Sequence, residues 1–277
     1  MLDAHGIVSL AEEREGTGMS QLRIFCYMPS PRVWKAMIAA RLCGVELEIR
    51  SVPPPKLKDW LWDFDARPLT GQEKKSNLNV CAGHTGFKGN ILYKTDEFLR
   101  AHPFGTVPAA FAPDGTVGIF ESNSIMRAVA RLDKTGSGIY GDDPYTASRI
   151  DSYLDASLVF ARDSQIYMLS LADNGVTRAI YDSTRKAFDV YMSAIDRAMR
   201  SGDSFLVGGQ LTLADICFAC EFALFLREGK RKEVLFDVGL EVITATSSER
   251  FPRATGHFQK LCQHEAFSPE LHASMFP

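Results

Sequence analysis

The sequence predicts an α/β domain that extends to about residue 132, followed by an all-α domain. Two observations support this division. The first half of the chain alternates short β-prone runs with helical patterns, whereas the second half has apolar residues at helical spacing almost throughout. The length of 277 residues is sufficient for one large domain or two modest ones.

The composition is that of a globular protein and excludes several function classes. Hydrophobic residues make up 45% of the chain and charged residues 23%, which is too apolar for a disordered protein. The formal net charge of −3 gives no electrostatic reason to expect nucleic acid or an anionic membrane as a partner. The longest apolar stretch is too short to cross a bilayer, so we expect no membrane-spanning segment.

The N-terminal segment and the cysteines favour a cytoplasmic protein. Residues 1–20 lack the features of a secretory signal and are predicted to form a flexible tail. The six cysteines are too sparse for a disulfide framework. Cys217 and Cys220 form a C-x-x-C motif inside a predicted helix, which indicates two core cysteines. The six histidines show no metal-ligand spacing, so we expect no metal site.

The first elements indicate a β-helix-β unit. Residues 22–27 are β-prone, residues 32–43 carry apolar side chains on one helical face, and Gly44 ends that helix. Residues 45–52 alternate between apolar and charged and predict a second strand. Because a helix connects the two strands, they should be parallel.

Residues 56–94 are predicted to form a long insertion in this first domain. The segment contains Trp60 and Trp62, and its polar stretch from 70 to 90 has no clear period. Loops of this length in compact domains are usually functional or disordered. We interpret the two tryptophans as lining an aromatic substrate pocket or a subunit contact.

Regular patterns return after the insertion. A helical turn at 96–101 precedes two short strands at 106–111 and 117–120, and a helix runs from 124 to about 132. Residues 133–143 are rich in glycine and polar side chains and predict a linker. The all-α domain, residues 144–277, contains predicted helices at 144–171, 178–200, 213–226 and 252–262.

Three local motifs suggest more than a fold class. Pro108, in Thr106-Val107-Pro108, cannot donate a ladder hydrogen bond, so it belongs at a strand start or in a cis peptide. Glu121-Ser122 lies where a strand gives way to a helix: Ser122 could cap the helix facing an anionic ligand group, and Glu121 could hold an ammonium. The segment 212–215 has capping-box spacing, with Asp at the position usually taken by Glu or Gln.

With these motifs, residues 22–271 resemble the cytosolic glutathione transferase superfamily. The resemblance implies an N-terminal thioredoxin-like, glutathione-binding domain over residues 21–132 and a C-terminal helical bundle for substrate and dimer contacts. Four blocks, at 32–44, 97–108, 120–125 and 205–216, are most similar to the transferase-like region of translation elongation factor 1 gamma.

The resemblance also implies glutathione as a co-substrate and assigns residues to it. Val107 would offer its backbone to the cysteinyl part, and Pro108 would be the cis-proline that shapes this contact. Glu121 would bind the amine of the γ-glutamyl end, and Ser122 its carboxylate.

The residue that activates the glutathione thiol should follow the first strand. A hydroxyl near a helix N-terminus lowers a thiol pKa by hydrogen bonding to the thiolate, and the helix dipole adds to this effect. Ser30 is the first choice and Tyr27 the second, with Arg32 as an electrostatic helper.

The resemblance therefore implies a glutathione transferase that attacks a hydrophobic, aromatic electrophile held against the helical domain. Bacterial members of the superfamily cleave β-aryl ethers of lignin fragments, and the tryptophans of the insertion extend this expectation to the present chain. The alternative is an elongation-factor-like scaffold, or a non-catalytic subunit of a heterodimeric transferase. Either way we expect a dimer, with itself or with a related subunit.

Overall fold

The computed structural model describes residues 7–9, 20–76, 78–83, 87, 89–199, 202 and 204–275. The chain forms two compact units, Met1–Gly136 and Ser137–Pro277, and the division falls within the segment 133–143. Across the described residues, none of the helices combines the length and the apolar character that a membrane span requires.

The described part of the first unit contains strands and helices in alternation. The strands are β1 (Ile7–Ser9), β2 (Leu22–Tyr27), β3 (Leu47–Val52), β4 (Trp60–Trp62), β5 (Arg67–Pro68), β6 (Val80–Ala82), β7 (Ile91–Lys94), β8 (Ala109–Phe111) and β9 (Gly118–Ile119). The helices are α1 (Pro31–Cys43), α2 (Gly71–Ser76), α3 (Asp96–Ala101) and α4 (Ser122–Arg131).

The main sheet has the strand order β1-β3-β2-β8-β9. The predicted parallel pair is confirmed, because β2 and β3 run parallel with α1 as their crossover. Gly44 ends α1 in the left-handed conformation (φ 61°), which glycine adopts without a steric penalty. Strands β8 and β9 then extend the sheet on the other side as an antiparallel pair.

One edge of this sheet differs from the prediction. The flexible tail predicted for residues 1–20 is wrong for Ile7–Ser9, which pair antiparallel with β3. An edge strand presents unpaired backbone N–H and C=O groups, and a passing segment of the same chain can satisfy them. The remainder of the predicted tail up to residue 19 lies outside the described residues.

The insertion forms a second sheet rather than a long irregular loop. Its strand order is β5-β4-β7-β6, in which β4 and β7 are parallel and the outer strands are antiparallel to them. Each of these strands has only two to four residues. Strands this short carry too few residues for an alternating pattern to be visible in the sequence.

The tryptophans of the insertion belong to the core of the first unit. Trp62 is 1% exposed and packs edge-on against Phe25 and Phe98, with ring centroids 5.6 and 6.0 Å away. Its indole N–H donates to the carbonyl of Leu57 at 3.0 Å. Trp60 is also buried and stacks on Phe25. The interpretation of these side chains as a substrate pocket or subunit contact is therefore wrong, because their apolar area is already covered.

The described part of the second unit is helical. It contains α5 (Pro144–Ala172), α6 (Arg178–Ala198), α7 (Leu213–Leu226), α8 (Lys232–Asp237), α9 (Ser247–Arg250), α10 (Pro252–Gln263) and α11 (Ser268–Met275). Helix α7 is buried on almost every side. Cys217 and Cys220 lie among its buried side chains, and no group of three or more acidic, histidine or cysteine side chains among the described residues could hold a metal ion.

Helix α7 begins with the predicted capping box. Asp215 is fully buried, and its Oδ2 accepts hydrogen bonds from the backbone N–H and hydroxyl of Thr212 at 2.9 and 3.0 Å. Its Oδ1 accepts from the N–H of Leu206 at 2.9 Å and lies 2.8 Å from His257 Nε2. The motif thus joins α7 to the segment before it and to α10.

Candidate functional site

Three segments that carry predicted site residues meet at one end of the main sheet. Strand β2 ends at Tyr27, and β8 runs antiparallel to it, so β8 starts near that end, directly after Pro108. Strand β9 is antiparallel to β8 and therefore finishes at the same end of the sheet. Glu121 lies two residues after β9. Helices α1 and α4 follow β2 and β9, so both begin here. We call this end of the main sheet, with the starts of α1 and α4, the candidate site.

The predicted thiol activators lie where β2 leads into α1: Tyr27 ends β2, Ser30 is in the connecting loop, and Arg32 is in the first turn of α1. Ser30 occupies the N-cap position of α1, where its carbonyl accepts from Val33 N–H at 2.9 Å, but its side chain makes no capping hydrogen bond within the described residues. Ser30 is 1% exposed, whereas Tyr27 and Arg32 are half-buried. The helix dipole favours negative charge at this position.

The segment before β8 packs on the same core as the end of β2. The peptide bond between Val107 and Pro108 is cis, as the resemblance implies. Val107 and Tyr27 are both partly buried against the hydrophobic cluster that contains Phe25 and Trp62. Two of the predicted site residues thus lie on the rim of one hydrophobic cluster.

Two buried polar side chains hold the loop that leads to Val107, and neither was predicted. Lys94, at the end of β7, is buried and donates from Nζ to the carbonyl of Gly105 at 2.7 Å. Its burial lowers its pKa. His102 is 1% exposed, and its Nε2 lies 3.3 Å from the Thr106 hydroxyl. Nothing local in the sequence marks these contacts, because Lys94 reaches the loop through the pairing of the second sheet.

His102 makes the stability of the first unit depend on pH. Burial, assisted by the nearby charge of Lys94, lowers the pKa of His102 to about 4, whereas an unfolded histidine titrates near 6.5. Between pH 4 and pH 6.5, therefore, His102 is protonated in the unfolded chain and neutral in the folded chain. This contribution to stability is complete above the unfolded pKa and is lost as the pH falls toward 4.

We expect the melting temperature of the wild type to fall more between pH 7 and pH 5 than that of a His102→Gln variant. Thermal unfolding followed by circular dichroism at both pH values measures the difference. The His102 ring also stacks on Phe98 and Phe120, with ring centroids 5.8 and 5.0 Å away. The variant loses this stacking at every pH, so the pH dependence of the melting temperature is compared rather than its absolute value. Identical pH dependence in the two proteins would contradict the assignment.

Glu121 is held in an unusual backbone conformation. It is exposed, occupies the N-cap position of α4, and has φ 65° and ψ 124°. A non-glycine residue in this region costs of the order of 1–3 kcal/mol, and such residues cluster at functional sites. The prediction that Ser122 caps the helix is wrong, since the chain turns one residue earlier and Ser122 is the first helical residue.

Ser122 is the first residue of α4, and its side chain contacts α1. It is 6% exposed, and its hydroxyl oxygen lies 3.3 Å from the Nζ of Lys35, which donates to it. The same ammonium donates to Asn123 Oδ1 at 2.7 Å. The start of α4 thus combines an exposed carboxylate, a hydroxyl, an amide and a nearby cation. This arrangement is chemically suited to a ligand that carries an ammonium and a carboxylate on one carbon.

Comparison with known proteins places the chain in a family. The glutathione S-transferase N-terminal domain family matches residues 29–132, and the glutathione S-transferase C-terminal domain family matches residues 158–265. A solved glutathione S-transferase from Methylobacterium radiotolerans, in complex with glutathione sulfonate, aligns with a TM-score of 0.59 at 15% identity. The alignment covers 90% of this chain and 93% of that one, and at this identity it shows the fold alone.

Curated relatives are of two kinds. Elongation factor 1-gamma 3 of Oryza sativa is 32% identical over 161 residues, which cover 54% of this chain and 38% of that protein. Glutathione S-transferase-like protein FUS3 of Gibberella fujikuroi is 24% identical over 243 residues, 86% of this chain and 90% of that protein. The chain spans less than half the length of the elongation factor relatives that it matches.

The predicted fold is confirmed: a thioredoxin-like N-terminal domain is followed by a helical C-terminal domain. The two domain families together cover most of the chain, and the resemblance to elongation factor 1 gamma is confirmed by the curated relatives. The chain belongs to the glutathione S-transferase superfamily and lies close to the branch that contains elongation factor 1-gamma.

Proposed function

We propose that the protein is an active glutathione transferase whose first unit binds glutathione at the candidate site. The observation that carries the proposal is the meeting of Glu121, Ser122 and Val107 at one end of the main sheet. Glu121 would pair with the γ-glutamyl ammonium, and Ser122 would bind the γ-glutamyl carboxylate at the N-terminus of α4. Val107, followed by Pro108, would offer its backbone to the cysteinyl part.

Thiol activation is assigned to the β2–α1 loop. Ser30 lies at the N-terminus of α1, where a hydrogen bond to the thiolate and the helix dipole both lower the thiol pKa. Tyr27 is the second choice because it lies on the rim that also carries Val107. Arg32, in the first turn of α1, would add a favourable charge. The thiolate would then attack an electrophilic carbon, forming a C–S bond as the leaving group departs or as an activated double bond accepts the electrons.

We propose a hydrophobic, aromatic electrophile. Phe104 is 71% exposed and lies three residues before Val107, and its ring is 5.2 Å from that of Phe120, which precedes Glu121. An exposed aromatic ring beside the site suits an apolar substrate. Trp60 and Trp62 are buried and do not line a pocket, so they give no reason to favour β-aryl ethers over other aryl substrates. A substrate panel should therefore include β-aryl ethers, aryl halides and unsaturated carbonyls.

Glutathione binding tests the proposal directly. We expect calorimetric titration of the purified protein to show micromolar-to-millimolar binding, which Glu121→Ala weakens about tenfold, equal to roughly 1.4 kcal/mol. Glu97→Ala is a suitable control, because Glu97 is an exposed carboxylate on α3. Absence of binding would favour the second candidate, an elongation-factor-like scaffold or silent subunit, for which the 32% identity to elongation factor 1-gamma is the supporting observation.

Turnover measurements test the activator. We expect Ser30→Ala to lower kcat about tenfold, roughly 1.4 kcal/mol of barrier, and to move the pH–rate profile toward higher pH while glutathione affinity changes little. Tyr27→Phe tests the second choice in the same assay. The assignment fails if neither substitution lowers kcat by that factor.

Two properties of the working protein complete the proposal. We propose a dimer, with a second copy or with a related subunit, and a cytoplasmic location. Sedimentation of the purified chain, alone and with cell extract, distinguishes the two kinds of dimer. The near-neutral charge balance supports a small-molecule substrate rather than nucleic acid or a membrane surface.

A further inference from the structure

Lys35 lies in α1, in the second turn of the helix, and is 1% exposed. Lysine is one of the residue types least often buried, because removing an ammonium from water is costly unless hydrogen bonds and charges compensate it. No motif in the sequence singled out this lysine. Where its ammonium is directed therefore needs a physical reason.

The ammonium is directed at the first turn of α4. Its Nζ donates to Asn123 Oδ1 at 2.7 Å and to Ser122 Oγ at 3.3 Å. An ammonium has three donors and no acceptor, so both contacts occupy acceptor oxygens. The hydroxyl proton of Ser122 must then point away from Lys35, and the amide NH₂ of Asn123 is turned away from it as well. Lys35 thereby determines which ends of these two groups remain donors.

The ammonium of Lys35 places a positive charge beside the N-terminus of α4. The N-terminus of a helix bears about half a positive charge, and the ammonium of Lys35 adds to the positive potential there. An anionic group that binds at this point is attracted by the backbone N–H groups, the side-chain donors and the cation together. The combination indicates a place prepared for a carboxylate.

We propose that Lys35 is a positioning residue of the glutathione site: it holds Ser122 and Asn123 as donors for the α-carboxylate of the γ-glutamyl group. This inference rests on the proposed function and refines it. Lys35 acts through Ser122 and Asn123, so its removal weakens recognition of the carboxylate and leaves recognition of the rest of the ligand unchanged.

The test compares two ligands that differ only in that carboxylate. Glutathione and γ-aminobutyryl-cysteinylglycine, which lacks it, are titrated by calorimetry into the purified protein. We expect the Kd of the wild type for glutathione to be about tenfold lower than its Kd for the analogue. This difference corresponds to the contribution of one charge-assisted hydrogen bond. In Lys35→Met this preference should fall to about twofold or less, through weaker binding of glutathione alone. In a Ser122→Ala background the Lys35→Met substitution should have a smaller effect than in the wild type, because one of the two groups that Lys35 positions is already absent.

Each other outcome has a defined meaning. If Lys35→Met weakens both ligands equally, Lys35 has only a structural role, and the positioning proposal is overturned while glutathione binding stands. If the wild type binds neither ligand, the proposed function itself fails. Lys75→Met removes an exposed lysine of the second sheet region as the matched charge control. If Lys35→Met does not fold, Lys35→Gln is tested instead. Because glutamine retains a hydrogen-bond donor, this variant should keep a preference for glutathione. A preference as small as that of Ser122→Ala would overturn the proposal.

Discussion

Replacing Asp215 with alanine is expected to lower the free energy of unfolding of the helical unit by about 4 kcal/mol. Asp215 is 0% exposed, and its two oxygens accept from the N–H and hydroxyl of Thr212 and from the N–H of Leu206, and also contact His257. Alanine would leave two buried backbone donors and a buried imidazole without their acceptor. The capping box of α7 would be lost at the same time.

Urea unfolding followed by far-ultraviolet circular dichroism measures this change, and hydrogen exchange of the α7 amides localises it. Asp237→Ala, which removes an exposed carboxylate from the end of α8, is the control and should change stability by less than about 0.5 kcal/mol. A similar small change for Asp215→Ala would show that water or a neighbouring group replaces the carboxylate, contrary to our account.

The second large effect is expected at Trp62. We expect Trp62→Ala to destabilise the first unit by about 4 kcal/mol, because it removes a buried indole that contacts Phe25 and Phe98 and leaves a cavity. The ammonium of Lys94, 4.9 Å from the centre of this ring, would also lose a favourable cation–π contact. Since Lys94 holds the loop before Val107, we expect weaker glutathione binding in the same variant.

Unfolding in urea and glutathione titration together test this prediction. Leu78→Ala serves as the control, because Leu78 belongs to the same insertion but is 68% exposed, and its loss should leave both quantities nearly unchanged. If Trp62→Ala costs less than about 1 kcal/mol, the second sheet is not part of the core that supports the site.

The two variants illustrate which parts of the fold the sequence reveals. The β2–α1–β3 unit and the capping box of α7 were predicted because their determinants are local: a helical period, a glycine at the helix end and a polar pair three residues apart. The second sheet was missed because its strands have two to four residues and acquire their partners only through pairing with distant segments. Burial of Trp62 follows from that pairing and therefore could not be inferred from the insertion by itself.

The candidate site divides in the same way. Glu121, Ser122 and Val107 could be proposed because each lies in a short motif at a strand end, and the sequence alone determined the family and the two kinds of domain. Only the tertiary structure decided that Ser122 is inside α4 rather than its cap, and that Lys35 reaches it from α1. Such contacts join residues far apart in the chain, and their geometry depends on how helices and sheets pack, which local periodicity does not encode.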